Sequence, residues 1–315
     1  MIRRVAIVGA GAIGSAYGFL LARAGLPVVL VDTWQDHVDA ILRDGLRVEG
    51  SDQPPPELAA TTDPGSARDA DAVFILVKSF ATEAAAHSLA GTLDPDAIVV
   101  TLQNGIGNDR LLAGILGGDR VVQGSTTVGA QVLGPGHIAI VPGTLQGSSL
   151  TSLGCPPSPA AAAATRSLAG ALEAAGLPAE VLDDVRAVVW RKLAMAAVIG
   201  PLCATLGWDV SRVIADPDAT ALLHRGFGEV LAVARHGGVE IDPAELWEHA
   251  IATYTSIGPH PPSLAVDVAR GRRTEIDGQL GEVLRRATEA GLDTPVARVL
   301  TAAVRGLTGD APRGS

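Results

Sequence analysis

RRVAIVGAGAIGSAYGFLLARAG, residues 3–25, decides how the chain begins. Residues Arg3 to Val8 read as a buried strand, and a helix runs to about Ala24, with a glycine turn between them. The turn, Gly9-Ala10-Gly11-Ala12-Ile13-Gly14, has the GxGxxG spacing. Gly9 permits the tight turn, Gly11 lets the backbone approach a pyrophosphate, and Gly14 lets helix and strand pack closely. The helix start at Ala12 and Ile13 then offers unpaired N–H groups and a positive dipole end to phosphates. Asp32 follows Gly9 by 23 residues and ends a second strand, Pro27 to Val31. There it is placed to accept hydrogen bonds from an adenosine ribose and to repel a 2′-phosphate, which favours NAD over NADP. The other readings of these groups are a ligand-free glycine turn and an aspartate that merely caps the next helix.

Working outward, strands and helices keep alternating. A helix reaches about Arg43, a strand covers Ala72 to Val77, a helix lies in ATEAAAHSLAGTL, and a strand spans Ala97 to Thr101. This implies βαβ units and a parallel sheet. Val121 to about Leu153 changes to alternating residues with many glycines, expected as an antiparallel extension of that sheet. An alanine-rich helix follows PPSP. From Asp183 onward helices are expected at 184–199, 216–236, 243–257, 263–270, 275–290 and 295–307. Pro201 should kink or stop the first, and Asp242-Pro243 and Thr294-Pro295 supply N-caps with proline at the first helical position. The fold class is therefore α/β, a Rossmann-type dinucleotide-binding domain at 1–182 followed by an all-α domain at 183–308.

Composition narrows the partners. With 315 residues, 47% hydrophobic and 18% charged, the chain can bury a large core. A net charge of -10 and a pI near 5.1 argue against nucleic acid and an anionic membrane surface. Two cysteines, Cys155 and Cys203, make a disulfide scaffold improbable and fit a reducing cytoplasm. No histidine spacing suggests a metal site. Leu193 to Gly207 is apolar but too short to span a bilayer comfortably.

Only two of the 24 basic side chains are lysines, Lys78 and Lys192. A position kept as Lys can need what Arg cannot supply, a pKa that moves on burial. Lys192 sits in VVWRKLAMAAVIG, where desolvation would favour its neutral form and make it a better acid. The alternative is a helix-surface lysine snorkelling to water.

With the N-terminal fingerprint, LVKSFAT at 76–82, LQNGIGN at 102–108, WRKLAMAAVIGP at 190–201 and SLAVDVARGRRTEID at 263–277 resemble, in order and spacing, the ketopantoate reductase (2-dehydropantoate 2-reductase) family. The resemblance runs from about residue 3 to 305. It implies that Lys192 is the general acid protonating a ketone oxygen as hydride reaches the carbon, and that Glu275 works with it at the catalytic and cofactor site. It implies that Asn104 lies near nicotinamide and substrate, that Ser263 holds substrate, and that Lys78 approaches the cofactor. A homodimer through the helical half is also implied. Read alone, Glu275 could be a helix N-terminal acid after Thr274, and Ser263 a helix cap.

The pattern breaks around the lysine. Ala196 and Gly200 stand where the family usually carries asparagines one and two turns on, Leu280 stands for another, and His260 for a fourth. On a continuous helix Lys192, Ala196 and Gly200 share one face, so a wider and more apolar pocket is expected. His260 is either a new polar contact or an exposed loop residue. The function expected is NAD(P)H-dependent reduction of a 2-oxo acid of the ketopantoate type to the 2-hydroxy acid. The alternatives are an NAD-linked D-2-hydroxyacid dehydrogenase with a bulkier apolar substrate, an imine or opine-type reductase, and a non-enzymatic dinucleotide sensor.

Overall fold

A computed structural model describes residues 1–51, 54–141, 145 and 151–309. They form two compact units, one of residues 1–103 and 108–185, the other of 104–107 and the residues from 186 onward.

The first unit runs β1 (Val5–Val8), α1 (Ala12–Arg23), β2 (Val28–Val31), α2 (Gln35–Asp44), β3 (Arg47–Val48), β4 (Ala59–Thr61), β5 (Ala72–Ile75), α3 (Thr82–Leu89) and β6 (Ile98–Thr101). It continues with α4 (Asn108–Leu116), β7 (Val121–Thr126), β8 (Ala130–Gly134), β9 (His137–Ile140), β10 (Thr151–Gly154), α5 (Pro159–Ala174) and β11 (Ala179–Leu182). The main sheet has the order β11-β10-β7-β6-β5-β1-β2-β4. Its central strands VAIV, VVLV, AVFI and IVVT are buried at every position and apolar except at Thr101, because both faces are covered. Alternate residues point to opposite sides. Ile7, Leu30 and Phe74 join one core with α1 and α5, while Val8, Val31 and Ile75 join another with Ala86, Leu89 and Leu112.

The segment from Val121 to Leu153 corrects the expectation of an antiparallel extension. β7 pairs parallel with β6, because α4 returns the chain by a βαβ crossover. Only β10 runs antiparallel to β7. The β8–β9 hairpin joins β3 in a separate three-stranded sheet, since Ile138 is buried in the core holding Val38 and Ile41 of α2. Residues 142–144 and 146–150 of that segment lie outside the described residues.

The second unit is helical: α6 (Arg186–Ala197), α7 (Ile199–Leu206), α8 (Val210–Ala215), α9 (Pro217–His236), α10 (Pro243–Ile257), α11 (Ser263–Ala269), α12 (Leu280–Ala290) and α13 (Pro295–Thr308). The first predicted helix is interrupted at Val198, not at Pro201 itself. Pro201 has no N–H for the carbonyl of Ala197, so the break falls one turn earlier. The Tyr254 hydroxyl donates to the Met195 carbonyl beside this break. The stretch Arg186–Leu206 is long and apolar enough to cross a membrane, yet 61% of its most apolar window is buried inside the protein. It is a core element of this unit.

Caps explain several boundaries. Asp242 accepts from Ala244 N (2.9 Å) and Glu245 N (3.2 Å), as its Asp-Pro pair predicts. Thr294 makes no side-chain cap. Instead Glu229 reaches from α9 to accept from Val296 N (3.0 Å) and Ala297 N (2.9 Å), with both bonds buried. The helix expected at 275–290 begins only at Leu280, because Glu275 opens a tight 3₁₀ turn over Ile276–Gly278. Replacing Glu229 by alanine leaves the two amides unsatisfied and is expected to cost about 2–4 kcal/mol. An unchanged urea midpoint for that variant would contradict the role.

Candidate active site

In the first unit the chain order reverses at β1, which lies between β2 and β5, and ligands of open α/β sheets bind beyond such strand ends. Gly9, Asp32 and Lys78 all follow the C-terminal ends of those three strands. Gly9 has φ +99°, and a Cβ there would lie 2.5 Å from Val77 N, so the turn has no room for a side chain. A Cβ on Gly14 would lie 2.0 Å from the Gly9 carbonyl oxygen, which is why α1 can start so close to the strand. Gly11 is the N-cap residue of α1, without a side-chain cap or an acidic residue in the first turn. The helix start at Ala12 and Ile13 therefore keeps its positive end uncompensated, which suits an anion.

Asp32 is half-buried, and its Oδ1 accepts from Trp34 N at 2.9 Å. It ties the turn before α2, while Trp34 occupies the N-cap position of that helix. Lys78 is exposed beyond β5, where its carbonyl accepts from Ala81 N at 2.8 Å. The residues present thus fit a dinucleotide: a side-chain-free turn, an uncapped helix start and an acid at the end of β2.

A polar cluster that no sequence motif announces lies next to these groups. Gln103 Nε2 donates to the Val77 carbonyl (2.6 Å) and to Thr82 Oγ1 (2.8 Å). Thr101 Oγ1 donates to Gln103 Oε1 (2.9 Å), and Thr82 Oγ1 donates to Asn108 Oδ1 (3.2 Å). Thr82 therefore grips the residues on either side of loop 104–107. The signal was a polar Gln directly after five apolar or β-branched strand-end residues.

In the second unit Lys192 projects from α6 and is half-buried. Burial pushes its ammonium down to about 8, against the charge of Glu275, which favours the protonated form. Glu275 is 7% exposed. The neighbouring Arg191 is engaged elsewhere, in a two-bond pair with Glu245 at 2.7 Å each. Asn104 belongs to the same unit. Its loop is fastened to the turn that Glu275 opens, with Ile106 N donating to the Gly278 carbonyl at 3.1 Å. A Cβ on Gly105, at φ +85°, would lie 2.0 Å from that carbonyl oxygen. One hydrogen bond and one obligatory glycine thus bring the Asn104 loop against the Glu275 turn.

The substituted positions are not alike. Ala196 is exposed, whereas Gly200 is buried beyond the break at Val198. A Cβ at Gly200 would lie 3.4 Å from Leu264 Cβ and 4.0 Å from Pro262 Cβ. The helix break separates the two positions, so the expectation of one shared face is corrected, and a Cβ at Gly200 would meet Leu264 at ordinary contact distance. Leu280 is fully buried and belongs to the core. Ser263 is the exposed first residue of α11 and makes no cap bond, which removes the capping alternative. His260 is an exposed loop residue whose carbonyl accepts from Val210 N at 3.2 Å. Glu275 stands at the N-cap position of the short 3₁₀ turn Ile276–Gly278 but makes no side-chain cap bond to it.

Comparison with known proteins matches two family descriptions, ketopantoate reductase PanE/ApbA over residues 5–157 and its C-terminal part over 184–308. The 2-dehydropantoate 2-reductase of Halobacterium salinarum is 32% identical, with 96% of this chain and 98% of that protein covered. Among solved structures, a PanE/ApbA family ketopantoate reductase from Ralstonia eutropha JMP134 is similar at a TM-score of 0.87 and 33% identity, covering 97% of this chain and 98% of that one. A ternary structure of D-mandelate dehydrogenase with NADH and anilino(oxo)acetate is similar at a TM-score of 0.88 and 26% identity, covering 97% and 98%.

Proposed function

Because the chain belongs to the ketopantoate reductase family, we propose that it reduces a 2-oxo acid with an apolar side chain to the 2-hydroxy acid, using NADH. Lys192, lowered to about 8 beside Glu275, is the observation that carries this reading. The reduced nicotinamide supplies the hydride to the carbonyl carbon. The carbonyl π pair moves to oxygen, and Lys192 Nζ gives that oxygen a proton and is later recharged from solvent. An ammonium near 8 is mostly charged at neutral pH yet a far better acid than an exposed lysine. Its charge also stabilises the developing alkoxide before transfer. Glu275 keeps the ammonium charged against the cost of burial, and Asn104 and Ser263 orient the substrate.

The side-chain preference rests on Ala196, one turn after Lys192 on the same helix, which offers no hydrogen bond to a hydroxylated substrate. The D-mandelate dehydrogenase likeness supports the same direction. Asp32 supports NADH, since a carboxylate just past the end of β2 would repel a 2′-phosphate bound there. The cytoplasm is the compartment this reading implies, and a homodimer remains the family-based expectation.

Oxidation of NADH and NADPH, each with ketopantoate and with bulkier aliphatic and aromatic 2-oxo acids, tests it. The apolar acids are expected to exceed ketopantoate by about tenfold or more in kcat/KM, with NADH ahead of NADPH. Efficient turnover of ketopantoate over the apolar acids would return the protein to the narrower family reaction.

A further inference from the structure

His37 of α2 is fully buried in the first unit and takes no part in the chemistry above. Both ring nitrogens are engaged. Gly136 N, in the turn between β8 and β9, donates to Nδ1 at 3.0 Å. Nδ1 is then the unprotonated nitrogen and Nε2 carries the hydrogen. Nε2 lies 3.3 Å from Ser15 Oγ, and Ser15 Oγ donates to the Ala10 carbonyl at 2.7 Å. A directed relay of hydrogen bonds therefore runs from the hairpin turn through α2 and α1 to the glycine turn. Trp34 stacks on the imidazole, with ring centres 5.1 Å apart.

The end of that relay matters. The Ala10–Gly11 peptide is trans, so its C=O and N–H point to opposite sides. Fixing the oxygen on Ser15 fixes the direction of the Gly11 amide as well. Gly11 is exposed, and a Cβ there would meet no atom within 4 Å, so that side of the turn is open. We propose that His37 and Ser15 are positioning residues of the dinucleotide site, holding the Gly11 amide in the orientation that receives a pyrophosphate oxygen. This rests on reading the glycine turn as a nicotinamide dinucleotide site.

Only neutral His37 completes the relay, because a protonated Nδ1 would face the Gly136 N–H. Burial lowers the His37 pKa from 6.5, opposed by the charge of Asp32 and by the Ala10 carbonyl. Of the other ionisable groups on the elements around it, Asp36, Asp39, Arg43 and Asp44 of its own helix, Arg23 of α1 and Arg47 of β3 are exposed, while Tyr17 of α1 is buried. Glu49 and His137 of the β3–β9 pair bond each other at 2.9 Å. A lowered pKa keeps the relay intact at neutral pH and breaks it as the pH falls below 6.5 and through the folded value.

The test is NADH binding by calorimetry between about pH 8 and pH 5 for wild type, Ser15→Ala, His37→Phe and His37→Gln. Ser15→Ala and His37→Phe are expected to weaken binding about tenfold at pH 8, and wild type is expected to weaken as the pH falls. His37→Gln keeps a donor toward Ser15 without a titrating ring, so it restores most of the affinity and flattens the acid limb. Folded His37→Phe binding like wild type, or a Gln variant with the wild-type acid limb, overturns the proposal. Failure of the wild type to bind either NADH or NADPH would instead overturn the dinucleotide reading beneath it.

Discussion

Lys192→Met lowers kcat by about 10³-fold or more while NADH still binds. Methionine fills a similar volume but can neither donate a proton nor stabilise an alkoxide, and Lys192 lies on a different unit from the glycine turn. In the wild type, kcat/KM for reduction should hold up to about pH 8 and fall above it, because the acid must be protonated. The folded pKa lies near 8 and the unfolded one near 10.5, so the folded state pays for the charge at all pH values below 8. That penalty disappears as pH rises toward 10.5. Wild-type stability in urea is therefore expected to rise as the pH passes from about 8 toward 10.5, a rise that Lys192→Met should lack. A variant that kept its kcat would show that another group delivers the proton.

Gly105→Ala should be nearly as damaging for a different reason. The residue sits at φ +85°, and the added methyl would lie 2.0 Å from the Gly278 carbonyl oxygen. Backbone strain and the clash together are expected to cost about 2–4 kcal/mol. The loop must withdraw from the Glu275 turn, taking Asn104 with it, so kcat/KM should fall about 10²-fold. Thermal unfolding and NADH-oxidation kinetics on one preparation separate the two effects. A variant with native stability and native kcat/KM would show that the loop is not held by this contact.

Both variants target residues whose chemistry is legible in the sequence, but whose fastening is not. GxGxxG, the acid at 32 and the apolar four-residue strands announce the Rossmann-type half, because continuous burial writes itself as unbroken Val, Ile and Leu. Lys192 stands out because arginine has replaced lysine almost everywhere else. The pairing of the β8–β9 hairpin with β3 was hidden, since two residues at 47–48 carry no strand signal of their own. The clamp of Thr82 on Gln103 and Asn108 joins residues 21 and 26 positions apart, and no local pattern encodes it. At Gly200 the residue type was plain but its placement was not, because the break at Val198 puts it on a different helix from Lys192 and Ala196. The cap from Glu229 was invisible for a similar reason: it crosses 67 positions to reach Val296.

Loop 104–107 lies inside the first unit's stretch of sequence yet belongs to the second. The two units are consequently not interchangeable cassettes. A gene fusion or exchange cut near residue 185 would carry away Lys192, Ser263 and Glu275 but leave Asn104 behind with the donor. Any new partner would have to bring its own four residues, including a glycine able to nest against Gly278. A cut at that seam therefore preserves the second unit only if the segment holding Asn104–Gly107 travels with it.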